Sequence, residues 1–267
     1  MMSDRLFKRE ANLILKNDNG RFEYSGLRFA FDVKKNIKKE MNTAKIEIYN
    51  LREASRHEFE LEGSVVNLQA GYETTISAIF KGHVDTVKNY YNGPDLITQI
   101  IANDGDVEYR RTRFDKSYPA GASIDKIVKD ISTAIGLPLY KSSDVNLDVK
   151  YGQSVAFTGL AKQALDTVCN KLNVIWSIQD GVLQLVNADS PNQPDVILIN
   201  KNTGMIHYPT KTKEGIQFKS LMLPALTPGR KIKLESEFIN GDFIAQNVSH
   251  IGDVRGTDFM TECEAIS

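Results

Sequence analysis

A reactive site in this 267-residue chain would have to be built from four histidines, two cysteines and 34 acidic residues. The histidines are His57, His83, His207 and His250. None has a second His or Cys at a ligand spacing such as H-E-x-x-H or C-x-x-C, so no local metal signature is present. Surface or hydrogen-bonded structural roles are the expectation for all four. His250, close ahead of Gly252-Asp253, is the tempting general base, and its expected role is to anchor that turn by hydrogen bonds. Cys169 and Cys263 lack the local signature of a nucleophile, and two thiols in a chain this long make no disulfide framework. Both read as small buried hydrophobes in the reduced state.

The acidic residues are numerous enough that pairs such as Asp104 and Asp106 arise by chance. Glycoside hydrolysis needs two carboxylates held across a cleft, and nothing isolates such a pair. Asp104 before Gly105 has a simpler role in a turn. There is no G-x-S-x-G elbow and no Walker sequence. The one basic cluster, "VKKNIKKE" from Val33 to Glu40, puts four lysines in six residues. Without interleaved aromatics for base stacking, it reads as a solvated loop between strands. Tyr90-Tyr91, beside a hairpin tip, is either an interface anchor or edge packing in a sheet. Trp176, two residues from Ile178 in a strand, is expected in a core. No catalytic, cofactor-binding or metal-ligating residue set is assigned, and the chain is expected not to be an enzyme.

The bulk composition agrees. A hydrophobic fraction of 41% with 25% charged residues is that of a globular chain. A formal net charge of −1 gives no global attraction to nucleic acid or acidic lipid. No apolar run approaches the ~20 residues that span a bilayer. The stretch "MMSDRLFKREANLIL" lacks the apolar core and cleavage site of a signal peptide, which predicts a cytoplasmic product not exported by that route.

The elements are dominated by alternation. In "NTAKIEIYNLR" Ala44, Ile46 and Ile48 share one face, and Lys45, Glu47 and Tyr49 share the other, which marks a half-buried strand. "VVNLQAGY" places Val66, Leu68, Ala70 and Tyr72 together. Asn19-Gly20, Asn92-Gly93, Asp180-Gly181 and Asn240-Gly241 are dipeptides suited to tight hairpin turns. "AIFKGHVDTVKNYYNGPDLITQIIANDGD" reads as a hairpin with an Asn-Gly-Pro-Asp tip. Residues 1 to about 110 thus look all-β, apart from a short helical turn at Ala54 to Leu61. The middle block differs. In "SIDKIVKDISTAIGLP", Ile124, Ile127, Val128, Ile131 and Ile135 recur at helical spacing, with Ser123 as N-cap and Gly136 as the stop. "TGLAKQALDTVCNKLN" repeats the pattern, with Thr158 as its cap. "VIWSIQDGVLQLV" is a hairpin. From about 200 the β pattern returns. No short tandem repeat is visible. The expected fold is mainly β with a small α+β middle domain: β-barrel-like domains at 1–112 and 201–267 flank a strand-helix domain at 113–200.

The order of these motifs resembles the baseplate hub proteins of tailed bacteriophages and related contractile particles. The spike proteins of type VI secretion systems contain a similar module. The resembling segments run over nearly the whole chain. "NTAKIEIYNL" is similar to the family's third or fourth barrel strand, and Ala70, Gly71, Tyr72, Phe80 and Gly82 recur in the strands that follow. "DKSYPAGASIDKIVKDISTAIGL" is similar to the unit opening its middle domain. In "GIQFKSLMLPALTPGRKIKLES" and "NVSHIGDVRGTDFMTECEA", Gly215, Leu221, Pro224, Pro228, Gly229, Ser236, His250, Gly252 and Asp253 hold the expected places. Leu223 stands where an Asn is usual, and Phe259 where a Trp is often seen. Without the family, Gly71 and Gly82 read as interruptions of strands, at bulges or barrel corners. Pro224 and Pro228 make "LPALTPG" a rigid crossing loop.

The resemblance implies a structural homotrimer at the end of the tail tube. Each chain would supply two similar barrels, so that three chains present six in a ring that adapts a six-fold tube to a three-fold spike. Implied partners are a second and third copy of the chain, the tail tube protein, the central spike protein, the tape measure protein and other baseplate proteins. DNA would pass only in transit, there would be no membrane anchor, and no cofactor is implied. The implied location is the virion tail baseplate, assembled in the host cytoplasm. Two other functions compete with the structural hub: a tail-associated cell-wall hydrolase, and a glycan-binding module suggested by two short helices with strands, as in LysM-like units.

Overall fold

A computed structural model of the chain describes residues 8–37, 41–73, 75–104, 111–187 and 196–266. The chain divides into two compact units. One comprises residues 1–36, 42–104 and 195–267, and the other residues 37–41 and 105–194. The first and last thirds of the sequence therefore share one unit, with the middle third inserted between them.

The first unit is built on a 13-stranded sheet. Its N-terminal half contains β1 (Arg9–Asn17), β2 (Gly20–Tyr24), β3 (Phe29–Asn36), β4 (Thr43–Tyr49), the helix α1 (Glu53–Phe59), β5 (Val65–Tyr72), β6 (Ser77–Asn92) and β7 (Asp95–Asn103). The strand order is β3-β4-β7-β6-β5-β1-β2. Alternation decides the buried face. Ala44, Ile46 and Ile48 of β4 are fully buried with Leu13 and Leu15 of β1, Phe29 and Val33 of β3, and Val66 and Leu68 of β5. Strands from distant places in the order, β3 and β1, share this one core, so the half-sheet curls around it.

The C-terminal half contains β13 (Ile197–Ile199), β14 (Met205–Lys211), β15 (Ile216–Leu221), β16 (Lys231–Glu235), β17 (Asn240–Asp253) and β18 (Phe259–Ile266). It has its own core, which includes Ile199, Phe218, Ile232, Leu234, Val248 and Cys263. Here β13, which the sequence placed in the middle segment, pairs with β16. Between β15 and β16 the segment bearing Pro224 and Pro228 makes two successive turns, closed by Leu226 N–H to Leu223 O and Arg230 N–H to Thr227 O.

The two halves repeat one topology. The N-terminal order β3-β4-β7-β6-β5-β1 is matched by β14-β15-β18-β17-β16-β13. Both contain a long strand, β6 or β17, that bulges at the equivalent place. The extra residue is Asp85 between Val84 and Thr86 in β6, and Gln246 between Ala245 and Asn247 in β17. The flanking pairs correspond, Val84 with Ala102 and Ala245 with Ala265. The repeats differ at one edge, since β1 runs antiparallel to β5 and β13 parallel to β16. They are joined where β17, beyond its bulge, pairs with β3 from Asn247–Asn36 to Asp253–Ala30.

The second unit is small and α+β. It contains β8 (Lys116–Tyr118), α2 (Ile124–Ile135), β9 (Leu139–Lys141), β10 (Val155–Phe157), α3 (Ala161–Lys171), β11 (Val174–Gln179) and β12 (Val182–Asn187). Ser123 caps α2 by accepting from Lys126 N–H at 3.2 Å, and Gly136 ends it at φ 79°. Thr158 does not cap α3. That helix begins after Leu160, whose N–H donates to Gln163 Oε1 at 3.2 Å. The apolar faces of both helices meet Trp176 and Leu185 in one core.

Candidate functional site

The histidines are held apart from one another. His57 Nδ1 lies 3.3 Å from Glu60 Oε2 on the surface of α1. His83 is in β6, before the bulge. His207 is exposed in an irregular stretch of β14 and takes φ 60°. His250 is fully buried in β17, with Nδ1 3.0 Å from Thr261 Oγ1. Thr261 Oγ1 also accepts from Leu223 N–H at 2.9 Å. The histidine thus helps to pin the proline-bearing crossing loop to the sheet. Burial, reinforced by the nearby Lys35 charge, pushes its imidazole down to about 3. Such a group is neutral and enclosed, which suits a structural role.

Asp104 is buried and accepts from Asn42 Nδ2 at 3.1 Å, while Asn42 Oδ1 accepts from Asn36 N–H at 3.0 Å. This network ties the end of β7 to the ends of β3 and β4. Asp106 lies outside the described residues. Of the lysine cluster, Lys34 is paired with Asp32 at 3.4 Å and Lys35 is buried at the β3–β17 junction. Lys38, Lys39 and Glu40 lie outside the described residues. Cys169 and Cys263 are buried in different cores, one in each unit. Burial pushes the Cys263 thiol well up. Among the described residues no three His, Cys, Asp or Glu side chains are grouped to hold a metal ion.

In the second unit, Asp130 Oδ2 accepts from Tyr118 OH at 2.7 Å and from Lys116 Nζ at 2.8 Å. The hydrogen bonds from Lys116 and Tyr118 lower the carboxyl's pKa, and burial with the same carboxylate raises the tyrosine's. The result is an ionised acid and a neutral phenol locked together, anchoring α2 to β8. Trp176 is buried in that unit's core and donates from Nε1 to Asp166 Oδ1 at 3.0 Å.

The surface of the first unit is the more informative region. Tyr91, Phe238 and Tyr208 have 75%, 68% and 58% relative exposure. Tyr208 and Phe238 meet edge to face at 4.9 Å between ring centres, and Tyr208 OH donates to Glu237 Oε2 at 2.9 Å. Phe238 is displayed by a tied loop. Ser236 N–H donates to Asn240 Oδ1 at 2.8 Å, and Ser236 Oγ donates to Ile239 O at 2.6 Å. An open cavity of about 740 Å³ lies beside Tyr208, lined by His207, Tyr208, Glu235 and Glu237 among others. Tyr91 stands at the far end of β6, where Tyr90 OH reaches Glu47 Oε1 at 3.1 Å. Large aromatic groups held in water mark surfaces that associate.

Two similar β halves share one sheet, and exposed aromatic rings stand on β6, on β14 and in the loop before β17, which defines a β-sheet protein that displays aromatic surface. The baseplate hub gp41 family matches residues 13–265. The chain belongs to the baseplate hub gp41 family, whose members are components of phage tails. The structure resembles the 43 kDa tail protein of prophage MuSo2 from Shewanella oneidensis, with a TM-score of 0.69 at 9% identity over 96% of each chain. It also resembles a tail protein from Neisseria meningitidis MC58, with a TM-score of 0.68 at 8% identity over 96% of each chain. A third similar structure is an Escherichia coli type VI secretion component, itself described as similar to the T4 tail proteins gp27 and gp5. It gives a TM-score of 0.59 at 10% identity, over 90% of this chain and 73% of that one. No curated protein matches in sequence.

Proposed function

We infer that the chain is a structural subunit of the baseplate hub, acting as a homotrimeric ring between the six-fold tail tube and the three-fold central spike. The observation that carries this reading is the internal repeat. One chain contains two halves of the same strand order, so three chains in a ring present six such halves to the tube. The tail tube and spike proteins are then its axial partners, the tape measure and other baseplate proteins its neighbours, and the host cytoplasm its site of assembly. Closing a ring also removes exposed sheet edges.

The ring's channel passes DNA and is not lined by free cations. Each phosphate contact by Lys or Arg adds affinity through counterion release, and several together would retain the DNA. The pairing of Lys34 with Asp32 and the burial of Lys35 support this. The chain catalyses no cell-wall cleavage. Light scattering of the pure chain at micromolar concentration is expected to give the mass of three copies, and a monomer there and in the assembled tail contradicts the ring. A peptidoglycan zymogram is expected to stay blank. Dose-dependent clearing that an acidic-residue variant abolishes contradicts the structural role.

A further inference from the structure

The junction between the two halves is a template for a contact that the single chain leaves open. Beyond its bulge, β17 has β18 on one side and β3 on the other. The same stretch of β6, Thr86–Asn92, has β7 on one side. On its other side β5 stops at His83, and no described strand continues beside it. The equivalent of β3 in the C-terminal half is β14, which pairs with β15 alone among the described strands. Each chain thus carries one open copy of each partner in a pairing it already makes internally.

Burial follows this pattern. Val248, His250 and Gly252, covered by β3, are buried. Their equivalents Val87, Asn89 and Tyr91 are half-buried, exposed and exposed. The equivalence is fixed by the cross-strand partners. Thr261 faces His250 as Thr98 faces Asn89, and both threonine hydroxyls meet that neighbour, at 3.0 Å and 2.8 Å.

We propose that the open half of β6 in one copy pairs antiparallel with β14 of the next copy, forming the seam that closes the ring. The register follows from the internal junction. Val33 pairs with His250, and their equivalents are Lys211 and Asn89, so Asn89 lies opposite Lys211 and Tyr90 opposite Thr210. Tyr91 then meets the irregular stretch between Ile206 and Thr210. That stretch presents Tyr208, whose ring meets Phe238 edge to face. The three most exposed aromatic residues among the described residues of the first unit would therefore meet in one place. The two edges differ, so the contact is head-to-tail and propagates around a ring. This inference rests on the ring reading and names its seam.

The test is disulfide trapping in the whole chain. The double variant Asn89→Cys with Lys211→Cys, oxidised at micromolar concentration, is expected to give covalent dimers and trimers that the two single variants do not. A trimeric mass by light scattering with no covalent ladder overturns the seam and leaves the ring intact. A monomer with no ladder overturns both. Tyr91→Ala, at an exposed position, is expected to keep the melting temperature and weaken association about tenfold or more, as truncating an aromatic anchor does. Unchanged association of Tyr91→Ala overturns the proposed convergence of the rings.

Discussion

The two halves of the first unit are built alike, yet one long strand is covered and the other is half bare. At His250 the strand lies between β18 and β3, and the side chain is sealed in and shifted toward neutrality. At Asn89, the equivalent position, the same cross-strand threonine is present and no described strand lies on the far side. The difference lies in what covers the strand and not in the strand itself. In the proposed seam this position is covered, whereas in a single chain it is surface, and Asn suits both states. Asn can be hydrated alone and hydrogen-bonded when covered. His250 is covered from the moment the chain folds.

The largest effect that would sharpen this comparison is truncation at the two equivalent positions. His250→Ala is expected to destabilise the fold by about 3 kcal/mol, since it leaves a cavity and strips Thr261 of a partner. Asn89→Ala is expected to change stability by less than about 0.5 kcal/mol. Denaturant unfolding of both variants measures the contrast, and equal losses would break it.

A second test uses a pair of unlike equivalents, Gly82 and Phe243, which face Val66 and Ile232. A Cβ on Gly82 would lie 2.4 Å from the Asn103 carbonyl oxygen, a backbone atom that cannot swing aside. Gly82→Ala is therefore expected to lose about 2 kcal/mol by overpacking. A melting temperature equal to that of the unsubstituted chain would show that the edge of β7 yields.

The third test is pH dependence. With the folded value of His250 at about 3 and an ordinary value of 6.5, protonation favours the unfolded chain. The stability held by the neutral imidazole is fully present above pH 6.5 and is lost as pH falls toward 3. By linkage the loss is on the order of 2 kcal/mol at pH 5. Replacing His250 with Gln should flatten the chain's unfolding profile between pH 7 and pH 5. An unaltered slope would mean that other groups set it.

The smallest effect is at the junction's outer end. Arg28 holds Asp253 by hydrogen bonds of 3.2 Å from Nε to Oδ1 and 2.7 Å from Nη2 to Oδ2, and it lies over the Tyr49 ring at 4.2 Å. Burial works against the Asp253 charge, and the Arg28 hydrogen bonds help to outweigh it, so its pKa is lowered. Asp253→Asn is expected to cost about 1 kcal/mol in denaturant unfolding. A neutral result would place the junction's stability in its strand pairing alone.

Local chemistry made much of this legible. Alternation marked β4 and its buried face. Ser123 and Gly136 delimited α2 because a cap and a left-handed stop are single-residue signals. Thr158 misled because a side chain within the first turn, Gln163, closes the start of α3 at Leu160 instead. Two of the four hairpin dipeptides stand at their turns, and Asn19-Gly20 and Asn240-Gly241 are displaced toward the strand that follows. Asp180-Gly181 forms its turn, with φ of 53° and 78°. Between β6 and β7 the Asn-Gly-Pro-Asp tip is as read, with Asn92 paired to Asp95 around Gly93 and Pro94. Asn240 and Gly241 begin β17, after a loop at residues 236–239. Gly82 does not sit at the bulge and is needed for a close backbone approach. Two similar barrels were expected from the family resemblance alone, and no local pattern showed the repeat because it is carried by strand order and bulge position, which sheets fix with many different side chains. The joining of the outer segments into one unit depends on the β3–β17 ladder, a pairing more than 200 residues apart that no local pattern encodes. Tyr90 and Tyr91 were readable as an anchor or as edge packing, and only the open flank of β6 distinguishes their surroundings from those of β17.

The most direct test of the ring is a set of cryo-EM class averages of the purified chain. The account predicts an end-on view with six β lobes around a central opening, repeating three-fold because the two halves alternate. Single-chain particles, or a closed dimer in which the same surface meets itself, would contradict it.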